Sequence, residues 1–321
     1  MAVEHVGIVW NPSKADRATI AAALEHGVTT AGIDPEITWE ETSEQDPGLA
    51  ATERALAAGA DLVIAAGGDG TVRAVVEHLA TAAAQAGRAP AELGIAPLGT
   101  GNLLARNLGV PLNDLAAAFE RAFTGTARPI DVGWAELELG GESERLAFAV
   151  MAGFGIDAHM IVETDEGLKE RIGWLAYVES LGRAVAASEV IAMSLAVDGR
   201  PAVDAEAHTL LIGNCGTLQG GVTLLPDADP SDGRLDLLLL DADGLGGWLD
   251  TMRNMVWDNG IRRLFARGEA TAQSSDSATH RQLERIRIEL HEPRVFEIDG
   301  EDLGETSRID ISVQAGAVRV R

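Results

Sequence analysis

The chain has 321 residues, enough for two domains with cores of their own. Fifty acidic residues against 25 basic ones give a net charge of −25, a surface that repels nucleic-acid phosphates and argues against DNA or RNA as partners. The single cysteine, Cys215, has no internal partner for a disulfide, which fits a reducing, cytoplasmic setting and a small buried hydrophobe.

The N-terminus lacks a basic start followed by an apolar stretch, so no signal peptide is expected. Residues 6–10 form a short apolar run that ends at the turn signal Asn11-Pro12, and a helical stretch with Ile20, Ala23 and Leu24 on one face follows. Residues 37–39 read as a weak strand and 47–58 as the next helix. The clearest unit is the continuous apolar strand 61–66, running into Gly67-Gly68-Asp69-Gly70-Thr71 and then a helix carrying Val72, Val75, Val76 and Leu79. Residues 93–96 form another apolar strand, which ends in Pro97-Leu98-Gly99-Thr100-Gly101-Asn102 before a further helix. Strands apolar throughout, alternating with amphipathic helices, predict a parallel sheet covered on both faces.

After Asp131 the texture changes. Residues 147–151, 192–197, 210–212, 235–240, 286–290 and 295–298 read as strands separated by Gly, Pro and Asp turns. Two helical stretches, 168–187 and 245–265, interrupt them, and 268–279 reads as a polar loop. This pattern predicts a second domain built mainly from antiparallel sheet. No window approaches 18 consecutive apolar residues, so no membrane span is expected. The scattered histidines leave no zinc spacing around Cys215.

The two glycine turns carry the chemistry. In a parallel sheet, turns that follow neighbouring strands lie side by side at the carboxyl edge, where ligands bind. Gly67, Gly68 and Gly70 permit positive φ and close backbone approach, so main-chain N–H groups can face phosphate oxygens, with the dipole of the helix near Thr71 behind them. A carboxylate beside phosphates calls for a divalent cation, so Asp69 either implies Mg²⁺ or is the solvated side chain of a plain strand–helix turn. Gly99-Thr100-Gly101-Asn102 repeats the logic without charge. The chain has neither the phosphate loop ending in Gly-Lys-Ser/Thr nor a Gly-x-Gly-x-x-Gly fingerprint at its first strand, so phosphates would be held differently.

Taken with Ile298-Asp299-Gly300-Glu301, the two turns resemble the diacylglycerol kinase and sphingosine kinase-like lipid kinases of bacterial type. The likeness extends to Asn11-Pro12, Thr42, residues 103–111 (LLARNLGVP), Asp131-Val132-Gly133, Gly153-Phe154-Gly155-Ile156-Asp157, Leu218-Gln219-Gly220-Gly221 and Ser231-Asp232-Gly233-Arg234-Leu235-Asp236. The resemblance implies a phosphofructokinase- and NAD kinase-like α/β domain over residues 1–132, with 306–321 returning to it. A mainly antiparallel β-sandwich would fill 133–305. It implies transfer of the γ-phosphoryl group of ATP, with Mg²⁺, to the hydroxyl of a diacylglycerol-like lipid.

Carried over residue by residue, Asn11, Thr42, Gly67, Gly68, Asp69, Gly70, Thr71, Gly99, Thr100 and Asn102 would line the nucleotide site. Asp299 would accept the proton of the acceptor hydroxyl, and Glu301 would assist with metal or nucleotide. Asp232 would bind a structural Mg²⁺ with main-chain carbonyls near Asp229 and Arg234, and Asp131 would join Asp69 in a water and metal network. The chain departs from relatives at Leu103, where many have Asp, and at Arg73-Ala74, where Asn-Glu is frequent.

On pattern alone, Asp299-Gly300 reads equally as a hairpin turn. The helical stretch 245–265, with Trp248, Met252 and Trp257 beside Arg253, Arg262 and Arg263, reads either as core or as an interfacial helix giving transient contact with a membrane surface. The other readings are a kinase of a soluble substrate, as in NAD kinase, and a nucleotide-binding regulatory protein without catalysis. The oligomeric state stays open.

Overall fold

The computed structural model describes residues 3–155, 189–218, 223–240 and 278–321. The expected helices at 168–187 and 245–265, Ile156-Asp157, Gln219-Gly220-Gly221 and the polar loop up to residue 277 lie outside the described residues; the last two residues assigned to that loop open a strand.

The N-terminal half alternates β1 (His5–Trp10), α1 (Arg17–Ala31), β2 (Glu36–Glu41), α2 (Leu49–Ala57), β3 (Leu62–Gly67), α3 (Asp69–Ala86), β4 (Glu92–Pro97), α4 (Leu103–Asn107) and α5 (Leu115–Thr124). Its four strands pair in parallel in the order β2-β1-β3-β4. β3 explains why the sheet is sandwiched. Val63 and Ala65 pack with Ala51, Ala55, Val75 and Val76 of α2 and α3, while Leu62, Ile64 and Ala66 pack with Ile20, Leu24, Phe119 and Phe123 of α1 and α5. Successive side chains of a strand point to opposite faces, so an all-apolar strand needs cover on both. Asp16 caps α1 by accepting the Thr19 N–H at 2.7 Å, and Gly32 closes it at φ 65°.

The second half holds β5 (Arg128–Leu139), β6 (Glu142–Phe148), β7 (Met151–Phe154), β8 (Ile191–Val197), β9 (Val203–Ala207), β10 (Thr209–Gly213), β11 (Leu235–Leu240), β12 (Ala278–Leu283), β13 (Arg285–Ile298) and β14 (Glu301–Val320). These pair antiparallel with one another around a core that includes Phe148, Phe154, Met193, Leu210, Ile288 and Phe296. β14 joins the halves: it pairs antiparallel with β13 and β5, and its last residues Arg319 and Val320 pair in parallel with Glu92 and Leu93 of β4. The architecture is therefore an N-terminal α/β unit with parallel strands and a C-terminal β-sandwich within one mixed sheet. Among the described residues no helix is long and apolar enough to cross a membrane.

Three elements differ from the sequence reading. The runs 286–290 and 295–298 are one strand, β13, with an irregularity between Glu289 and Arg294. The run 147–151 is broken at Ala149 and Val150, whose N–H groups leave the ladder to meet the Asp299 carboxylate. β14 is absent from the sequence reading as a strand: its first part is polar and broken by Gly304, although Ile309, Ile311 and Val313 alternate with polar residues further on.

Candidate active site

A cleft of about 860 Å³ lies where the carboxyl edge of the parallel strands meets the β13–β14 hairpin. The strand order reverses between the neighbours β1 and β3, since the next strands, β2 and β4, add on opposite sides of that pair, and ligands bind outside such a switch point. Asn11, Gly68, Asp69, Gly70, Thr71, Gly99 and Thr100 all border the cleft. Gly67 and Asn102 stand behind it as parts of the same two turns. Thr42 is buried and donates its N–H to the Trp10 carbonyl at 3.0 Å, while its neighbours Ser43 and Glu44 reach the cleft wall.

The turns need glycine for proximity rather than for positive φ: none of their glycines has a left-handed backbone. A Cβ on Gly99 would stand 2.7 Å from the Gly68 Cα, and one on Gly101 would stand 2.7 Å from Asp69 Oδ2. The two turns thus pack backbone against backbone. Asn102 supplies the left-handed residue, at φ 47°, and closes its turn with two hydrogen bonds to Gly99, Oδ1 accepting from N at 2.9 Å and Nδ2 donating to O at 2.7 Å. Asp69 braces one turn to the other. Its carboxylate accepts the N–H groups of Asn102 at 2.8 Å and Leu103 at 2.5 Å. Burial nevertheless pushes its pKa up, against the pull of those two amides.

Across the cleft, Asp299 and Gly300 form the two-residue turn between β13 and β14, with φ of 50° and 83° and Ile298 paired to Glu301. Positive φ at both central residues matches the twist of a tight hairpin. The hairpin reading and the site reading therefore describe one turn. Asp299 is 8% exposed and borders the cleft together with the two glycine turns. Its Oδ1 accepts the N–H groups of Val150 and Met151, both at 2.9 Å, and its Oδ2 accepts that of Ala149 at 2.8 Å. A carboxylate offers about four acceptor positions, so Oδ2 keeps one open. Burial lifts the Asp299 pKa to about 6, although the three amides and the charge of Arg73 oppose the rise.

Glu301 pairs with Arg73, Oε2 to Nη2 at 2.5 Å, so it faces the start of the second turn of α3. Arg73 and Lys14 are cleft residues that sequence reasoning did not select. Lys14 had one available signal: it is one of only two lysines in the chain. Glu44, Asp69, Glu297, Asp299, Glu301 and Asp302 face these two cations, so the described wall of the cleft is strongly acidic. The wall also carries apolar side chains of one core cluster, Leu103, Met151, Leu211, Leu218 and Leu224.

The remaining sequence candidates lie apart from the cleft wall. Asp229 accepts the N–H and the hydroxyl of Ser231, and Asp232 accepts the Arg234 N–H at 2.9 Å and the Gln282 amide at 3.0 Å. Asp131 belongs with this turn: its oxygens accept the N–H groups of Gly233 and Gly316, both at 2.7 Å, and no described hydrogen bond links it to Asp69. Burial raises the Asp232 pKa, and the charges of Asp236 and Asp229 raise it further. Among the described residues no three acidic, imidazole or thiol groups converge as a ligand set.

An N-terminal α/β unit with parallel strands followed by a C-terminal β-sandwich is the two-domain fold of the diacylglycerol kinase and NAD kinase-like type. Residues 5–135 match the family model described as diacylglycerol kinase catalytic domain, and 150–321 match that of the YegS C-terminal NAD kinase beta sandwich-like domain. A Pseudomonas aeruginosa protein named "Probable lipid kinase YegS-like" is 34% identical over 310 residues, 95% of this chain and 88% of that one. A Bacillus subtilis protein named diacylglycerol kinase is 28% identical over 241 residues, 75% of this chain and 71% of its own. In fold, the chain is similar to the crystal structure of a diacylglycerol kinase from Bacillus anthracis, with TM-score 0.67 and 22% identity over 100% of this chain and 97% of that one. The chain belongs to the YegS-like, diacylglycerol kinase-like family of lipid kinases.

Proposed function

We propose that this protein is an ATP- and Mg²⁺-dependent kinase that phosphorylates the hydroxyl of a diacylglycerol-like lipid, with Asp299 as general base. One observation carries the reading: Asp299, fixed by three amides with one acceptor position open, borders the same cleft as both glycine turns. The unit 1–132, with 306–321 added to it, holds the nucleotide, and 133–305 presents the acceptor. Asn11, Gly68, Gly70, Thr71, Gly99 and Thr100 cradle the phosphates, with Gly67 and Asn102 shaping the turns and Thr42 backing the wall beneath them. The acceptor hydroxyl gives its proton to Asp299 Oδ2 as its oxygen forms the new bond to the γ-phosphorus, and the bond to the bridging oxygen breaks with its electron pair leaving on ADP. Phosphoryl transfer needs positioning and charge neutralisation above all.

The acidic wall supports a divalent cation, because a polyphosphate would otherwise meet six carboxylates and two cations. Mg²⁺ bound with the nucleotide supplies that neutralisation, and Asp69 would hold it on the cleft side. At the separate turn, the excess negative charge around Asp232 fits a second, structural ion held by Asp232 and by main-chain carbonyls near Asp229 and Arg234, with Asp131 fixing the loop. The apolar side chains on the wall of the cleft support a lipid over a soluble acceptor. Access from the cytoplasmic face of a membrane by transient surface contact completes the reading.

The deciding experiment incubates the purified protein with labelled ATP, Mg²⁺ and diacylglycerol in detergent micelles. Labelled lipid phosphate that disappears on chelation of Mg²⁺ supports the proposal. Transfer to NAD instead would make the protein a kinase of a soluble substrate, and nucleotide binding with no transfer to any acceptor would make it a regulatory protein.

A further inference from the structure

Arg73 stands one helical turn beyond Asp69 of the first glycine turn, on α3. It is 9% exposed, and it borders the same cleft as the phosphate turns and Asp299. A guanidinium has five N–H donors. Here Nη2 bonds Glu301 at 2.5 Å, Nη1 stands 3.8 Å from Glu77, and the buried Nε has no acceptor. Glu77 is already engaged, accepting the Ala147 N–H at 3.0 Å. A buried cation with donors left over costs stability unless something fills them. Arg73 and Lys14 are the two cations on the described wall of the cleft, and of these Arg73 is the one on α3, the helix that begins at the first glycine turn.

We propose that Arg73 is a further catalytic residue, whose guanidinium donates to the phosphoryl group in transit between the glycine turns and the acceptor oxygen. The inference rests on the phosphoryl-transfer reading above. In transit, the charge spreads over three equatorial oxygens while the bridging P–O bond breaks and the acceptor P–O bond forms. A planar fork of donors matches two of those oxygens at once, which a lysine ammonium cannot do. In the resting protein Glu301 takes one arm of the fork, Nη2, and both residues border the cleft. Arg73 also feels Asp299 directly, since its charge opposes the burial-driven rise of that carboxyl.

The test compares wild type with Arg73→Ala and Arg73→Lys in full-length protein. Measured are kcat and KM for ATP, melting temperature, and affinity for ADP against a non-hydrolysable ATP analogue. A group acting on the travelling phosphoryl predicts a fall in kcat of about 10²–10³-fold in Arg73→Ala, partial recovery in Arg73→Lys, and rescue by added guanidinium at non-denaturing concentration. The analogue should bind at least fivefold more weakly while ADP binding changes less than twofold. Unchanged kcat in an active preparation overturns the inference. So does equal weakening of both nucleotides with a lowered melting temperature and no guanidinium rescue, which would make Arg73 only a tie between α3 and β14. Should wild type phosphorylate no acceptor, the functional reading fails, and the ADP-versus-analogue comparison still decides whether Arg73 meets the terminal phosphate.

Discussion

At the residue scale Asp299 has two duties that pull in different directions. It organises the break between β6 and β7 by accepting three amides, and it is proposed to take a proton. Burial, the dominant cause, lifts its pKa to about 6. The base acts only when ionised, so kcat/KM should fall tenfold per pH unit below about 6 and level off above it. Asparagine keeps the shape but brings an NH₂ group against at least one amide donor, and it cannot take a proton; Asp299→Asn should lose about 10²–10⁴-fold in kcat. Asp299→Ala should lose as much and also melt at lower temperature, because three buried N–H groups lose their acceptor, at about 1–3 kcal/mol for each left unsatisfied. An activity profile flat from pH 5 to 8, or an active asparagine variant, would remove Asp299 from the role of base. The hairpin signal Asp-Gly made this turn visible in the sequence. Its three amide partners were not visible, since they lie about 150 positions away and inside what reads as an unbroken apolar strand.

At the scale of elements, the glycine turns were legible because glycine after an apolar strand has few other uses. Their mode of contact was not. Positive φ was the expectation, whereas the structure uses glycine to let the turns touch and leaves the left-handed position to Asn102. Arg73 was noticed only as a departure: an arginine on an amphipathic helix ordinarily points to solvent, and its partner Glu301 is 228 positions distant. The packing of turn on turn makes a prediction of its own. A methyl group at Gly101 would meet Asp69 Oδ2 and push the carboxylate off the Asn102 and Leu103 amides. Gly101→Ala should therefore raise the KM for ATP at least tenfold while the melting temperature falls by only a few degrees, overpacking at one site costing about 1–3 kcal/mol. Nucleotide titration followed by intrinsic fluorescence, beside a thermal melt, checks both halves; a variant with wild-type ATP affinity would show that the brace between the turns is dispensable.

At the scale of the whole molecule, the parallel half of the sheet was readable from β3 and α3, while the return of 306–321 to it was expected from the resemblance alone and the full length of the uniting strand was not readable. β14 carries Glu301, Asp302, Glu305, Arg308 and Asp310 along with Gly304 and Gly316, and only its middle, Ile309 to Val313, alternates apolar with polar residues. Its burial comes from tertiary neighbours: Val318 and Val320 are 0% and 5% exposed, wedged between β5 and β4. Arg321 then bonds Glu92 at 2.5 Å and the Phe123 carbonyl at 2.9 Å. Deleting residues 318–321 removes two buried valines, about 1.5–3 kcal/mol each, together with ladder bonds to both neighbours. A domain of this kind holds only about 5–15 kcal/mol in reserve. The truncated chain should therefore melt about 10 °C or more below wild type. Because β4 ends in the second glycine turn, the same deletion should weaken ATP binding before the protein unfolds. Arg321→Ala, which keeps both valines, should shift the melt by far less. Equal melting of the truncated and intact chains would mean that β4 holds its place without β14, and the continuity of the sheet would then have no part in presenting the second turn to the cleft.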